Sequence, residues 1–259
     1  VHLIVTHSAF HSARLSKADQ SRLLSSLLER ARSARARGGA RPVFVFDLDG
    51  TLMDNRPRVV AILRELADAW ASRHPEAAEC CRKAQPDDIV YGFTDNLRRL
   101  GVSDAELHDA GLRFWKDRFF GDAFQRHDVA VKGAREYVHA CWETGAIIVY
   151  LTGRDLPGMA LGTFASLRDL GFPIGRVGTE LVVKPTFEEP DTTFKRGVAP
   201  ELGRLGEVIG VFDNEPANCN LLLEAHPECV SVLLDTQHAP DPPSLLAGVH
   251  VVRSFARDE

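Results

Sequence analysis

A chain of 259 residues, 44% apolar and 26% charged, can bury a full core, and its Gly and Pro content is too low for a disordered segment, so a folded, water-soluble protein is expected. Its formal net charge of -5 supplies no long-range attraction for nucleic acid or anionic lipid, which argues against a large polyanionic partner. The five cysteines are odd in number and lack C-x-x-C spacing, so neither a disulfide framework nor a zinc site is indicated and a cytoplasmic setting is the expectation.

The opening segment, VHLIVTHSAFHS, holds only a four-residue apolar run, and no 18-residue apolar stretch occurs anywhere, so neither a signal peptide nor a membrane span is expected. Residues 15–37 read as a helix, because Leu15, Leu23, Leu24, Leu27 and Leu28 recur at helical spacing until Gly38-Gly39 breaks the pattern. This helix reads as an N-terminal extension over residues 1–41. Its arginines Arg30, Arg32, Arg35 and Arg37, with Arg41 beyond, are the residues that could touch a phosphate-bearing partner, although a solvated helix face is the simpler reading.

From Val43 the pattern changes to short, continuous apolar runs at Val43 to Phe46, Ala146 to Leu151, Leu181 to Val183, Val208 to Phe212 and Val230 to Leu234, with Val249 to Val252 as a candidate edge. Such runs are the signature of strands buried on both faces. Helical stretches at about 133–144, 156–170, 193–205 and 215–226 alternate with them. The expected fold class is therefore α/β, a doubly wound, Rossmann-like parallel sheet whose ligand site lies beyond the carboxyl ends of the strands. Between Leu52 and His127 the alternation stops and only helical stretches appear, at Arg58 to Arg73, Glu76 to Ala84, Asp88 to Leu100 and Asp104 to Phe120. That interval is too long for a loop, so residues 55–127 are expected to form a helical subdomain inserted into a core made of residues 42–54 and 128–259.

Phe44-Val45-Phe46 runs into Asp47-Leu48-Asp49-Gly50-Thr51. In extended backbone alternate side chains share a face, so Asp47 and Asp49 converge while Leu48 packs away. Two such carboxylates repel unless a cation lies between them, and hard oxygen donors suit Mg²⁺. The second strand ends in Thr152-Gly153-Arg154, where a hydroxyl can donate to a phosphoryl oxygen and glycine lets the backbone approach closely. The fourth ends in Asp213-Asn214-Glu215-Pro216, an acid-amide pair able to add metal ligands. A lysine is needed to hold the acids together. Lys195, at the start of the helix feeding the fourth strand, is preferred over Lys184, at the end of the third. The ten histidines have no metal spacing, and Trp115 with Phe114, Phe119 and Phe120 could line a substrate face of the inserted helices.

These pieces, in this order between Val43 and Leu234, resemble the haloacid dehalogenase superfamily, and the helical insertion is similar to that family's first-type cap, which closes over small substrates. The resemblance implies that Asp47 is a nucleophile forming an aspartyl-phosphate and that Asp49 is first the general acid and then the base. It implies that Thr152, Gly153 and Arg154 meet the substrate, that Lys195 fills the lysine position, and that Asp47, Asp49, Asp213 and Asn214 surround Mg²⁺. The Asp213-Asn214-Glu215-Pro216 element departs from the commoner Gly-Asp form and looks like the Asp-Asn-x-Pro form of the RNA polymerase C-terminal-domain phosphatases, which leaves open whether Asp213 or Asn214 is the direct ligand. The expected activity is hydrolysis of a small phosphorylated metabolite. The alternatives are a phosphomutase, a phosphatase on nucleic-acid ends or phosphoproteins, and a non-catalytic binding module.

Overall fold

The computed structural model describes residues 10–257, so the reading of residues 1–9 lies outside it. The first long helix, α1 (Lys17–Ala36), begins where the Ser16 hydroxyl accepts from the Asp19 amide at 3.1 Å. Leu24, Leu27, Leu28 and Ala31 form its apolar stripe, and all four are buried among Phe44, Phe46 and Tyr137. The N-terminal helix expected from the sequence therefore packs as a layer on the core. An Arg30–Glu207 ion pair at 2.9 Å adds a polar tie.

Strand β1 (Pro42–Phe46) is buried throughout. It is followed by a tight turn at Gly50, a two-residue strand β2 (Met53–Asp54), and then the insertion of α2 (Arg56–Trp70), α3 (Pro75–Arg82), α4 (Phe93–Arg99) and α5 (Ala105–Phe119). These helices bury a core of their own around Leu63, Leu66, Cys81, Phe93 and Leu97. The chain leaves the insertion along β3 (Val129–Ala130), which pairs antiparallel with β2, so both cap connections run through one short ribbon. Two-residue strands carry no apolar run, which is why the sequence gives no sign of them.

The remaining elements alternate: α6 (Ala134–Glu143), β4 (Ile147–Asp155), α7 (Leu156–Asp169), β5 (Thr179–Lys184), α8 (Asp191–Leu202), β6 (Glu207–Asp213), α9 (Pro216–Ala225), β7 (Val230–Leu234) and β8 (Val249–Val252). The six long strands form one parallel sheet in the order β5-β4-β1-β6-β7-β8. Alternate residues of β1 serve opposite faces: Phe44 and Phe46 join the side covered by α1 and α6, while Val43 and Val45 meet Phe194 and Leu222 on the other. Strand order reverses at β1, with β4 on one side and β6 on the other, so the crevice at its carboxyl end is the topological switch point where α/β sheets bind ligands. Asp47 is the next residue.

Candidate active site

The Asp47 amide donates to the Phe212 carbonyl at 2.9 Å, which carries the β1–β6 ladder one residue past the strand and fixes the aspartate over the switch point. Leu48 turns into the core with no exposure. Gly50, at φ +76°, is required twice: by its left-handed backbone, and because a Cβ there would lie 2.5 Å from Asn214 Nδ2. Gly153 is needed for space alone, since its Cβ would meet Asp191 Oδ1 at 2.4 Å.

Lys195, one turn into α8, is buried and donates to Asp47 Oδ1 and Asp213 Oδ2, both at 2.8 Å, with Asp191 at 3.5 Å. Lys184 is spent on the carbonyls of Phe187 (3.2 Å) and Glu189 (2.8 Å), so geometry joins Lys195 and not Lys184 to the acids. Thr152 is buried at the end of β4, with its Oγ1 3.3 Å from the Arg154 amide that donates to it. Asn214 accepts from Thr51 Oγ1 at 3.4 Å and donates to the Gln237 carbonyl; Asp213 accepts from the Glu215 amide at 2.8 Å.

One lysine cannot neutralise this cluster. Burial pushes Asp47 well above the ordinary carboxylate range; Lys195 opposes the shift, and Asp213 and Asp191 reinforce it. Burial raises Asp213 too, again against Lys195. Burial alone would lower the Lys195 ammonium, but Asp213 and Asp47 outweigh it, so the lysine is held charged. Oδ1 of Asp191 and Oδ1 of Asn218 are buried acceptors with no protein donor.

Asp49 sits in the opposite environment. Burial pushes its carboxyl up, yet the Arg154 and then the Arg58 guanidinium override it and hold it well below the usual carboxylate range. Arg154 donates to it through Nε (2.7 Å) and Nη2 (2.8 Å), and Arg58 through Nη2 (3.0 Å). Both arginines also bond Asp128. Arg154 lines the cavity while donating to Asp49, Asp128 and Gln125, and Asp49, also on the cavity, accepts from both guanidiniums; Asp47, Asp213 and Asn214 line the same cavity. Among the described residues no three His, Cys, Asp or Glu side chains form a ready cage, so an ion here would complete its shell with amide or backbone oxygens and water.

Asp47, Thr152 and Lys195 lie on the floor of a 760 Å³ cavity whose other wall belongs to the inserted helices. Tyr91, Phe93, Trp115, Phe119 and Phe120 line that wall, with Trp115 stacked 5.3 Å from Phe93. Phe114 does not take part; Arg118 covers its ring at 3.3 Å. Arg58, Asp128, Asp191 and Gln125 escaped sequence reasoning. Asp191, four residues before Lys195 on one helix face, carried a usable signal; Arg58 and Asp128, 70 residues apart, carried none.

The sequence model of haloacid dehalogenase-like hydrolases matches residues 42–233, from the first residue of β1 into β7. No curated protein matches the chain. Among solved structures it is similar to one described as a "Putative Phosphatase" from Clostridium difficile, at TM-score 0.53 and 12% identity over 81% of this chain and 93% of that one. It is also similar to one described as a "predicted phosphatase" from Clostridium acetobutylicum, at TM-score 0.48 and 12% identity over 83% and 94%. At such identity the first likeness speaks for a shared fold and the second adds no argument. The family match covers most of the chain and includes the aspartate turn, both flanking strand ends and the lysine helix, and the chain belongs to the haloacid dehalogenase-like hydrolase family.

Proposed function

We propose that this hydrolase is a phosphomonoesterase that uses Asp47 as its nucleophile on a small phosphorylated metabolite, with Mg²⁺ as its cofactor. The observation that carries the reading is the pairing of Asp47 with the buried ammonium of Lys195 at the switch point, open to the cavity. The donor set fits a hard divalent cation: three carboxylates, two of them buried, share one lysine, burial pushes those two toward protonation, and buried oxygens of Asp191 and Asn218 lack donors. Asp47, Asp213 and Asn214 would hold the ion, whose charge would keep Asp47 ionised and offset that of the phosphoryl oxygens.

An oxygen of Asp47 attacks phosphorus in line, the bond from phosphorus to the alcohol oxygen breaks, and that oxygen takes a proton from Asp49, which has to carry it against the pull of Arg154 and Arg58. Water then attacks the aspartyl-phosphate and gives a proton to Asp49, the bond from phosphorus to the Asp47 oxygen breaks, and inorganic phosphate leaves. Lys195 and Thr152 stabilise the charge spread over the equatorial oxygens. The inserted helices roof the cavity, which favours small esters over phosphoproteins or nucleic-acid ends. Their aromatic wall suits an alcohol with a flat or apolar part.

Phosphate release from a panel of sugar phosphates, nucleotides, aryl phosphates and a phosphopeptide, with Mg²⁺ and with chelator, tests the proposal. Metal-dependent release from small esters is expected. An isomerised ester without free phosphate would make the protein a mutase, and turnover of the phosphopeptide alone would overturn the substrate class.

A further inference from the structure

The cavity over Asp47 runs on past the acid cluster. Asp47 follows β1, and β6, β7 and β8 lie beside that strand in order across the sheet. The carboxyl ends of all three reach the same cavity, through Asp213 at β6, Asp235 after β7, and Arg253 and Ser254 after β8. Three strand spacings of about 4.8 Å put the β8 end roughly 14 Å from the nucleophile. Lys132, on the return from the cap, joins that far end, because its carbonyl accepts from the Phe255 amide at 3.0 Å.

The two ends differ in charge. Beside the nucleophile, Asp47, Asp191 and Asp213 share the one ammonium of Lys195. At the far end each acid already has a guanidinium: Asp235 pairs with Arg14, and Asp54 with Arg56 at 2.7 Å. Lys132 and Arg253 are left over. Both are exposed, both line the cavity, and neither has an ion-pair partner among the described residues. Two uncompensated cations on one cavity wall raise the local concentration of anions there. A guanidinium beside an ammonium suits a carboxylate or a phosphate group. Ala130, Val131 and the cap aromatics give the same cavity apolar surface for the part of a ligand that joins its two ends.

We propose that the substrate bears a second anionic group, carboxylate or phosphate, remote from its phosphate ester, and that Arg253 and Lys132 form the subsite that receives it. The inference rests on the phosphatase reading above and narrows its substrate class to phosphate esters of acids and to bisphosphates. Arg253 and Lys132 act in recognition and so on KM, whereas Asp47 and Lys195 meet the phosphoryl group. Because both cations are exposed, salt screens the attraction.

The test uses the full chain with Mg²⁺ at low ionic strength and esters matched in shape but not in charge. 8-Phosphooxyoctanoate and 8-phosphooxyoctanamide differ only in the far group; 3-phosphooxypropanoate and 3-phosphooxypropanamide are too short to reach it. The wild type should prefer the long acid to its amide by about tenfold in kcat/KM, expressed in KM, with no more than about a twofold preference within the short pair. Octane-1,8-diyl bisphosphate, corrected for its two equivalent esters, tells the two anions apart: a kcat/KM above that of the long acid assigns the subsite to phosphate, and one below it to carboxylate. Arg253→Ala and Lys132→Ala should each shrink the long-pair preference to about threefold or less, and Arg253→Glu should reverse it. The preference is a ratio within one variant, so a general loss of activity cancels. No preference in the wild type, an equal preference in the short pair, or a preference that survives in both alanine variants would overturn the proposal. Release of phosphate from p-nitrophenyl phosphate without the acid preference removes the subsite alone. Release from none of these esters, p-nitrophenyl phosphate included, removes the phosphatase reading and the subsite with it.

Discussion

Lys195 balances three carboxylates with one charge, and its contacts at 2.8 Å to Asp47 and Asp213 make it the residue whose loss is felt twice. Lys195→Ala leaves a buried anion pair without its counter-ion, a change that typically costs about 3–5 kcal/mol of stability, and it removes charge facing the phosphoryl group. We expect phosphatase activity to fall by at least about 10²-fold with a lower urea midpoint, whereas Lys184→Ala, which breaks only two bonds to loop carbonyls, should keep activity within about tenfold. Steady-state kinetics and unfolding on both variants decide it, and a larger loss for Lys184 would contradict the account. Much of this site is legible in the sequence because Asp47 and Asp49 alternate on one strand end and Lys195 opens a helix aimed at the same edge. The fate of Asp49 is not. A D-x-D spacing shows that two carboxylates share a face, but nothing local to it reports that Arg58 and Arg154 converge on the second and reverse the pKa shift burial would impose. Nor does Thr-Gly-Arg at a strand end reveal which anions a long side chain finds: Arg154 lines the cavity and donates to Asp49 and Asp128.

At the scale of elements, α1 shows what the sequence leaves open about a helix it makes legible. Its leucines mark a helix, but whether an amphipathic helix docks on its own domain or elsewhere depends on the face it meets, here the Phe44, Phe46 and Tyr137 side of the sheet. Leu28, only 2% exposed, should lose about 2–5 kcal/mol of global stability on substitution by Ala. An appendage would instead give a near-zero change in the urea midpoint. The strands are readable because parallel strands buried on both faces present continuous apolar runs, and β5, the weakest of them, is also the partly exposed edge. The β2–β3 ribbon is invisible for the converse reason, though it carries both connections to the cap. No helix among the described residues is long and apolar enough to cross a membrane.

Across the whole molecule, folding couples to pH with two opposite signs. Burial lowers the imidazole of His250, on β8, below its ordinary 6.5, so as pH falls below that value the unfolded chain takes up a proton that the folded chain resists, and stability declines. Asp47, Asp213 and Glu215 are raised by burial; each binds its proton more tightly when folded, so their contribution weakens as pH rises above the ordinary carboxylate range. The His250 effect is therefore read as a difference. In metal-free protein the urea midpoint of His250→Gln should hold up better than that of the wild type as pH is lowered from about 7.5 to about 5.5, and parallel curves would show that this histidine contributes nothing. The same burial underlies the central claim, because it makes Asp47 a poor anion until a cation joins Lys195 beside it. Acid-quenching the chain during turnover of p-nitrophenyl phosphate with Mg²⁺ and locating covalent phosphate by peptide mass analysis tests that claim most directly. Phosphate on Asp47 in the wild type, with none trapped and no turnover in Asp47→Asn, is the predicted result; phosphate on another residue, or undiminished turnover by Asp47→Asn, would contradict it.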